Sequence, residues 1–201
     1  MGKIHKGETH ITIPDDTLVL ICGSQNSGKT TFTKKHFSGK HTVITDEIFE
    51  EVIKHHATVL DNLESLARRT TDIFEERVIK ASKENSITVV DAAPIDFEGR
   101  AEMLKIFKGL HTNIILIVLD VKYPTLIKRP KKQVDKKKKQ FGITPISDNE
   151  LLLNSLIIFE QIKKDQFGYR VNHAYILSEK DIEKCQVTFV WTAKQKAEST
   201  R

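Results

Sequence analysis

The run Gly23-Ser24-Gln25-Asn26-Ser27-Gly28-Lys29-Thr30 fits the spacing G-x-x-x-x-G-K-[ST], which builds a pocket for a triphosphate. Gly23 and Gly28 carry no side chain, so the backbone can turn tightly and aim successive amides, on to Thr31, at one anion. The segment TTFTKKHF that follows suits a helix, whose positive N-terminal end would face the same anion. Lys29 then reaches the β and γ phosphates, and the Thr30 hydroxyl suits a magnesium ion. These residues predict a nucleoside triphosphate site that uses ATP and Mg2+.

Phosphoryl transfer also needs one carboxylate on the metal side and another to orient an acceptor hydroxyl. Three aspartates end apolar runs: Asp46 after TVIT, Asp91 after ITVV and Asp120 after IILIVL. An acid at such a position serves as well for a helix cap or a turn as for chemistry. Asp91 is expected on the metal side with Thr30, Asp46 as the general base, and Asp120 in a structural role.

Charge is concentrated in one place. Between Lys128 and Lys139 there are eight bases against one acid, Asp135, whereas acids slightly outnumber bases in the rest of the chain. The segment reads either as a solvated loop or as a basic lid over phosphates or nucleic acid. For the lid, Arg129 is the candidate to meet the γ phosphate, because a guanidinium stays charged and grips two oxygens.

Positioning these groups on one edge takes a parallel sheet. Apolar, β-branched runs at Thr17–Cys22, His41–Thr45, Ile87–Val90, Asn113–Leu119 and His173–Leu177, with a further one at Gln186–Trp191, alternate with amphipathic stretches. Near-continuous apolar strands suit a sheet covered on both faces, so the expected fold is α/β, three-layered, with a parallel sheet. Leu63, Leu66, Thr70, Phe74 and Val78 recur at helical spacing and predict a helix from about Asp61 to Ser82 with that face buried. Ser147-Asp-Asn-Glu150 reads as a capping box opening a helix to about Gln166.

The chain has 201 residues, 39% hydrophobic and 29% charged, which excludes the disordered and low-complexity classes. No apolar run is long enough to cross a bilayer, and MGKIHKGETH lacks the apolar stretch of a signal peptide, so a cytoplasmic protein with no membrane partner is expected. Cys22 and Cys185 have no zinc-like spacing, Cys22 reads as a small buried hydrophobe, and none of the eight histidines forms a metal-spaced set. Oligomeric state leaves no mark in the sequence.

From Ile11 to Ser178, IPDDTLVLICGSQNSGKTTFTKKHF, TVITDEIF and SITVVDAAP with Arg100 further on, then an apolar strand and a basic segment, resemble the kinase module of bacterial polynucleotide 5′-kinases. The resemblance implies a P-loop phosphotransferase that moves the γ phosphate of ATP to 5′-hydroxyl ends of RNA or DNA. It implies phosphate and metal binding by Lys29 and Thr30, a general base at Asp46 and a lid arginine at Arg129. A kinase domain over residues 11–191 is expected, with a lid at about 128–146, an N-terminal extension at 1–10, a flexible tail at 192–201 and no further module. The chain departs from the family in three places. Phe49 stands where an arginine holds the acceptor's 3′ phosphate, Gln133 stands where a second lid arginine is usual, and VDAAP replaces V-D-A-T-N. A small-molecule or nucleoside kinase, with Phe49 stacking on a ring, and a non-catalytic ATP-binding module are the alternatives.

Overall fold

The computed structural model describes residues 2–56, 62–93, 96–129, 146–168 and 170–190. Eight strands are formed among them: β1 (Lys3–Lys6), β2 (His10–Pro14), β3 (Thr17–Gly23), β4 (His41–Ile44), β5 (Ile87–Ala93), β6 (Asn113–Asp120), β7 (His173–Ser178) and β8 (Gln186–Val190). Six make one sheet in the order β1-β7-β6-β3-β5-β4, and every pairing in it is parallel. The described α-helices are α1 (Lys29–His36), α2 (Thr45–Glu51), α3 (Leu63–Glu84), α4 (Phe97–Ile106), α5 (Tyr123–Lys128), α6 (Asp148–Lys163) and α7 (Glu179–Lys184).

The period of two along a strand explains the layers. In β3, buried at all seven residues, Leu18, Leu20 and Cys22 face a core shared with Ile48 of α2, Leu66, Phe74 and Val78 of α3, Met103 and Leu104 of α4, and Ile158 of α6. Val19 and Ile21 face the opposite core, with Phe32 of α1 and with Ile11 and Ile13 of β2. Each such side chain, fully removed from water, contributes about 1.5–3 kcal/mol, so both faces of the central strands must be covered. The expected three-layer α/β fold with a parallel sheet is the fold observed.

Part of the second cover is a small sheet. β2 and β8 pair in parallel apart from the main sheet, so Gln186–Val190 is not a seventh strand of it. The first ten residues, expected to extend from the domain, instead place Lys3–Lys6 against β7 at the sheet edge. Gly2 is fixed there too: its amide donates to the Gly168 carbonyl at 2.7 Å, and a Cβ on Gly2 would lie 1.8 Å from the Val171 carbonyl oxygen.

The long helix runs Leu63–Glu84, capped by a reciprocal Asn62–Ser65 box, with Leu66, Thr70, Phe74 and Val78 buried as expected. Leu63 is the exception on the predicted face. It lies in the first turn and is exposed. The Ser147–Glu150 box opens α6, which ends at Lys163. Thr45, expected to end its strand, instead starts α2, because Asp46 and Glu47 in the first turn suit the positive end of a helix.

Candidate functional site

β3 lies between β5 and β6, while the chain leaves it first for β4 on the far side of β5, then returns to β5 and crosses over to β6. That reversal opens a crevice at the carboxyl ends of the strands, and the sequence places its glycine loop there. The loop begins at Gly23, where a Cβ would lie 2.7 Å from Ser27 Oγ and 3.1 Å from the Leu119 carbonyl oxygen of the neighbouring strand. Only glycine lets the loop sit that close to β6. A turn closed by the Ser27 amide on the Ser24 carbonyl, 3.1 Å, leads to Gly28 at φ 93, a left-handed conformation that ends the loop and starts α1. Asn26, also left-handed at φ 63, is the loop's one non-glycine residue with that backbone. The hydroxyls of Ser24 and Ser27 are buried and meet no hydrogen-bond partner among the described residues.

Two cations rest on this loop. Lys29 Nζ donates to the carbonyls of Gly23 at 3.0 Å and Ser24 at 3.1 Å. Arg129 Nη1 donates to the Asn26 carbonyl at 2.8 Å and lies 3.5 Å from where a Cβ on Gly28 would be. Arg129 is the C-cap of α5, so the sheet edge brings it to the loop from a residue 103 positions away. α5 is itself held at its other end. The Glu179 carboxylate accepts from the Lys122 amide at 3.0 Å and the Thr125 hydroxyl at 2.9 Å, which ties the start of the helix to α7. Sequence reasoning missed Glu179, since an acid opening its own helix gives no sign that it holds another.

The acids divide as their strands do. Asp91, on β5 opposite Ile21 of β3 and Ile44 of β4, is 4% exposed. Asp46 is exposed in the first turn of α2, just past β4, two strand spacings or about 10 Å from the loop strand. An ion pair from Lys34 of α1 to Glu47, 3.0 Å, ties that turn to the loop's own helix. Asp120 lies on the other side of β3, paired with Lys122 Nζ at 2.7 Å. Gln25 is exposed at the loop tip, and Thr30 and Thr31 lie in the first turn of α1. Thus Lys29, Asp91, Asp46 and Arg129 share one edge. Lys131–Lys139, Gln133 and most of the expected lid lie outside the described residues, as do Pro94, Trp191 and the tail.

Two residues have surroundings that the sequence did not disclose. Phe49 is half-buried and packs against the main core cluster, so part of its ring serves the core. Arg100, on α4, is buried: it donates to Gln161 Oε1 of α6, lies 4.7 Å over the Phe167 ring and hydrogen-bonds the Cys22 thiol beneath the loop. Burial pulls Arg100 below its ordinary range, against the pull of Cys22, Asp96 and Glu98. Burial pushes the Cys22 thiol up, opposed by Arg100 and Lys29. Cys22 is therefore more than a small hydrophobe; it joins the end of β3 to a buried cation.

Residues 18–144 match the family described as the AAA domain, well over half of the sequence. The chain belongs to that family. Among solved structures, the fold is similar to a chain of the Pnkp1/Rnl/Hen1 RNA repair complex, with TM-score 0.56 and 20% identity over 76% of this chain and 47% of that one. The AAA domain chain thus spans about half the length of that relative. It is also similar to deoxyadenosine kinase from M. mycoides, with TM-score 0.47 and 16% identity over 92% of this chain and 100% of that one. Shikimate kinase from Bacteroides thetaiotaomicron gives TM-score 0.45 and 17% identity over 83% of this chain and 92% of that one. No curated protein matches the sequence. An AAA domain with a parallel α/β fold is what family and fold show. Among the described residues no helix is long and apolar enough to cross a membrane, and no group of three or more His, Cys, Asp or Glu is arranged to hold a metal ion.

Proposed function

We propose that this AAA domain is an ATP-dependent kinase that transfers the γ phosphate to the 5′-hydroxyl of RNA or DNA. The observation that carries the reading is the single sheet edge shared by the glycine loop, Asp46 two strands along it, and Arg129 docked on the loop from α5. Lys29 exchanges its two loop carbonyls for phosphate oxygens when ATP arrives, and Arg129 does the same from the Asn26 carbonyl. Asp46, exposed where Asp91 is buried, takes the proton of an incoming alcohol. The Thr30 hydroxyl and the buried Asp91 carboxylate are hard oxygen donors of the kind that hold magnesium, directly or through its waters. Bound there, magnesium would neutralise charge on the β and γ oxygens.

Support for a nucleic-acid acceptor comes from the bases concentrated from Lys128 to Lys139 and from the shared fold of a protein found in an RNA repair complex. A second reading, a small-molecule or nucleoside acceptor, is favoured by Phe49, which packs into the core at the position where an acceptor-phosphate arginine would stand. Incubation with γ-labelled ATP, magnesium and either 5′-hydroxyl oligonucleotides or a panel of nucleosides and small alcohols decides between them. Label on oligonucleotide ends, lost in Lys29→Ala, supports the proposal. Label only on a small acceptor replaces it with the second reading, and none on any acceptor leaves a non-catalytic ATP-binding module.

A further inference from the structure

Helix α6 is apolar on two sides. Leu151, Ile158 and Gln161 are buried, so its inner face is spent on the domain. Leu152, Leu153, Leu156 and Phe159, at 39%, 57%, 50% and 51% exposure, form a stripe on the opposite face. A contiguous stripe of this kind on an ordered helix marks an interaction surface. The helix is firmly set: Ser147 and Glu150 cap it reciprocally, and Leu151 packs with Leu126 of α5.

The ends of the stripe carry opposite charges. At 100° per residue, exposed Asp148 continues the stripe at the N-terminal end and exposed Lys163 at the C-terminal end, about 22 Å apart along the axis. Positions 148 and 163 share a midpoint between residues 155 and 156, and so do 152 and 159. A two-fold axis through that midpoint sets two copies of α6 antiparallel, with Asp148 of one facing Lys163 of the other, Leu152 facing Phe159, and Leu156 close to the axis. One register satisfies charge and apolar contacts together, as an isologous interface demands. It also runs the two helix dipoles in opposite directions.

We propose that the outer face of α6 is the contact surface of a symmetric homodimer of this chain. The interface lies on the face of α6 opposite Leu151, the residue that packs with Leu126 of α5. It stands apart from the identity of the phosphate acceptor. Sedimentation equilibrium of the full chain, up to about 200 µM, tests it, with a micromolar dimer expected for a face of this modest size. Leu156→Lys, a change at an exposed position that leaves circular dichroism and melting unchanged, should yield monomers. Asp148→Lys alone should raise the dissociation constant about tenfold, and Asp148→Lys with Lys163→Asp should restore it to within about threefold, because the swapped charges again face each other across the axis. A wild-type monomer at the highest concentration overturns the proposal. So does a dimer that survives Leu156→Lys, or a charge swap that restores nothing.

Discussion

Gly23→Ala tests the loop's geometry without touching its charge. Gly23 is not among the positive-φ residues, so alanine can adopt the backbone and the whole penalty comes from one added carbon. That carbon would stand 2.7 Å from Ser27 Oγ and 3.1 Å from the Leu119 carbonyl oxygen. The Ser27 side chain is buried, and the Leu119 carbonyl belongs to backbone paired with Gly23 in the sheet and cannot move aside freely. Overpacking of this kind costs about 1–3 kcal/mol. At about 2–4 °C per kcal/mol for a domain of this size, melting should fall by roughly 2–12 °C. To the extent that the loop relaxes by shifting, ATP affinity falls too, by up to roughly 150-fold if about 3 kcal/mol is expressed there. Gly28→Ala is the contrast: its Cβ has room, with Arg129 Nη1 at 3.5 Å, but φ of 93 strains any side chain. Differential scanning fluorimetry and calorimetric ATP titration measure both. A Gly23→Ala protein that melts and binds ATP like wild type would refute the close packing of loop on β6.

Three further outcomes are expected. Asp46→Asn should keep ATP affinity within about twofold while the transfer rate falls by ~10²–10⁴, and full activity would remove Asp46 as the base. Glu179→Ala frees the N-terminus of α5 and so loosens Arg129; it should lower kcat more than it weakens ATP binding, with Glu179→Asp recovering part of the loss, and equal effects on both would return Glu179 to a purely structural role. Stability should decline in acid through Asp16. Burial raises its carboxyl, but hydrogen bonds from Thr112 and His111 outweigh that and hold it below the ordinary value. The unfolded chain then takes the proton first, so the stabilisation is intact above about pH 4 and drains as pH falls through the folded value. Chemical denaturation of Asp16→Ala across pH should show a flatter stability curve below pH 4.

The central strands were legible because both faces are buried, which writes itself as an unbroken apolar run. The α3 register was legible because one helical face repeats through four turns. β1 and β2 were not. KIHK and HITIP are short and half polar, and each is a strand only because a distant segment, His173–Ser178 or Gln186–Val190, offers it hydrogen bonds. The glycine loop and its lysine were readable from spacing, and Arg129 from being the arginine in a lysine run. What could not be read were contacts closed by the fold: Arg100 with Cys22, Gln161 and Phe167, and Glu179 on the start of α5. Phe49 was open to a stacking role on sequence grounds. The fold half-buries that ring against the core beside α2, a contact with residues far along the chain that the sequence could not show.

The proposed kinase requires the backbone between residues 23 and 30 to hold the triphosphate while Asp46 faces the γ phosphate from two strands away. A crystal structure with magnesium and a non-hydrolysable ATP analogue tests it most directly. The triphosphate should lie in the loop, with Lys29 Nζ moved from the Gly23 and Ser24 carbonyls to phosphate oxygens, Arg129 released from the Asn26 carbonyl toward the γ phosphate, and the Asp46 carboxylate directed at that end. Nucleotide bound elsewhere, or Lys29 still on its loop carbonyls beside a bound triphosphate, would rule out this site as the phosphate donor's.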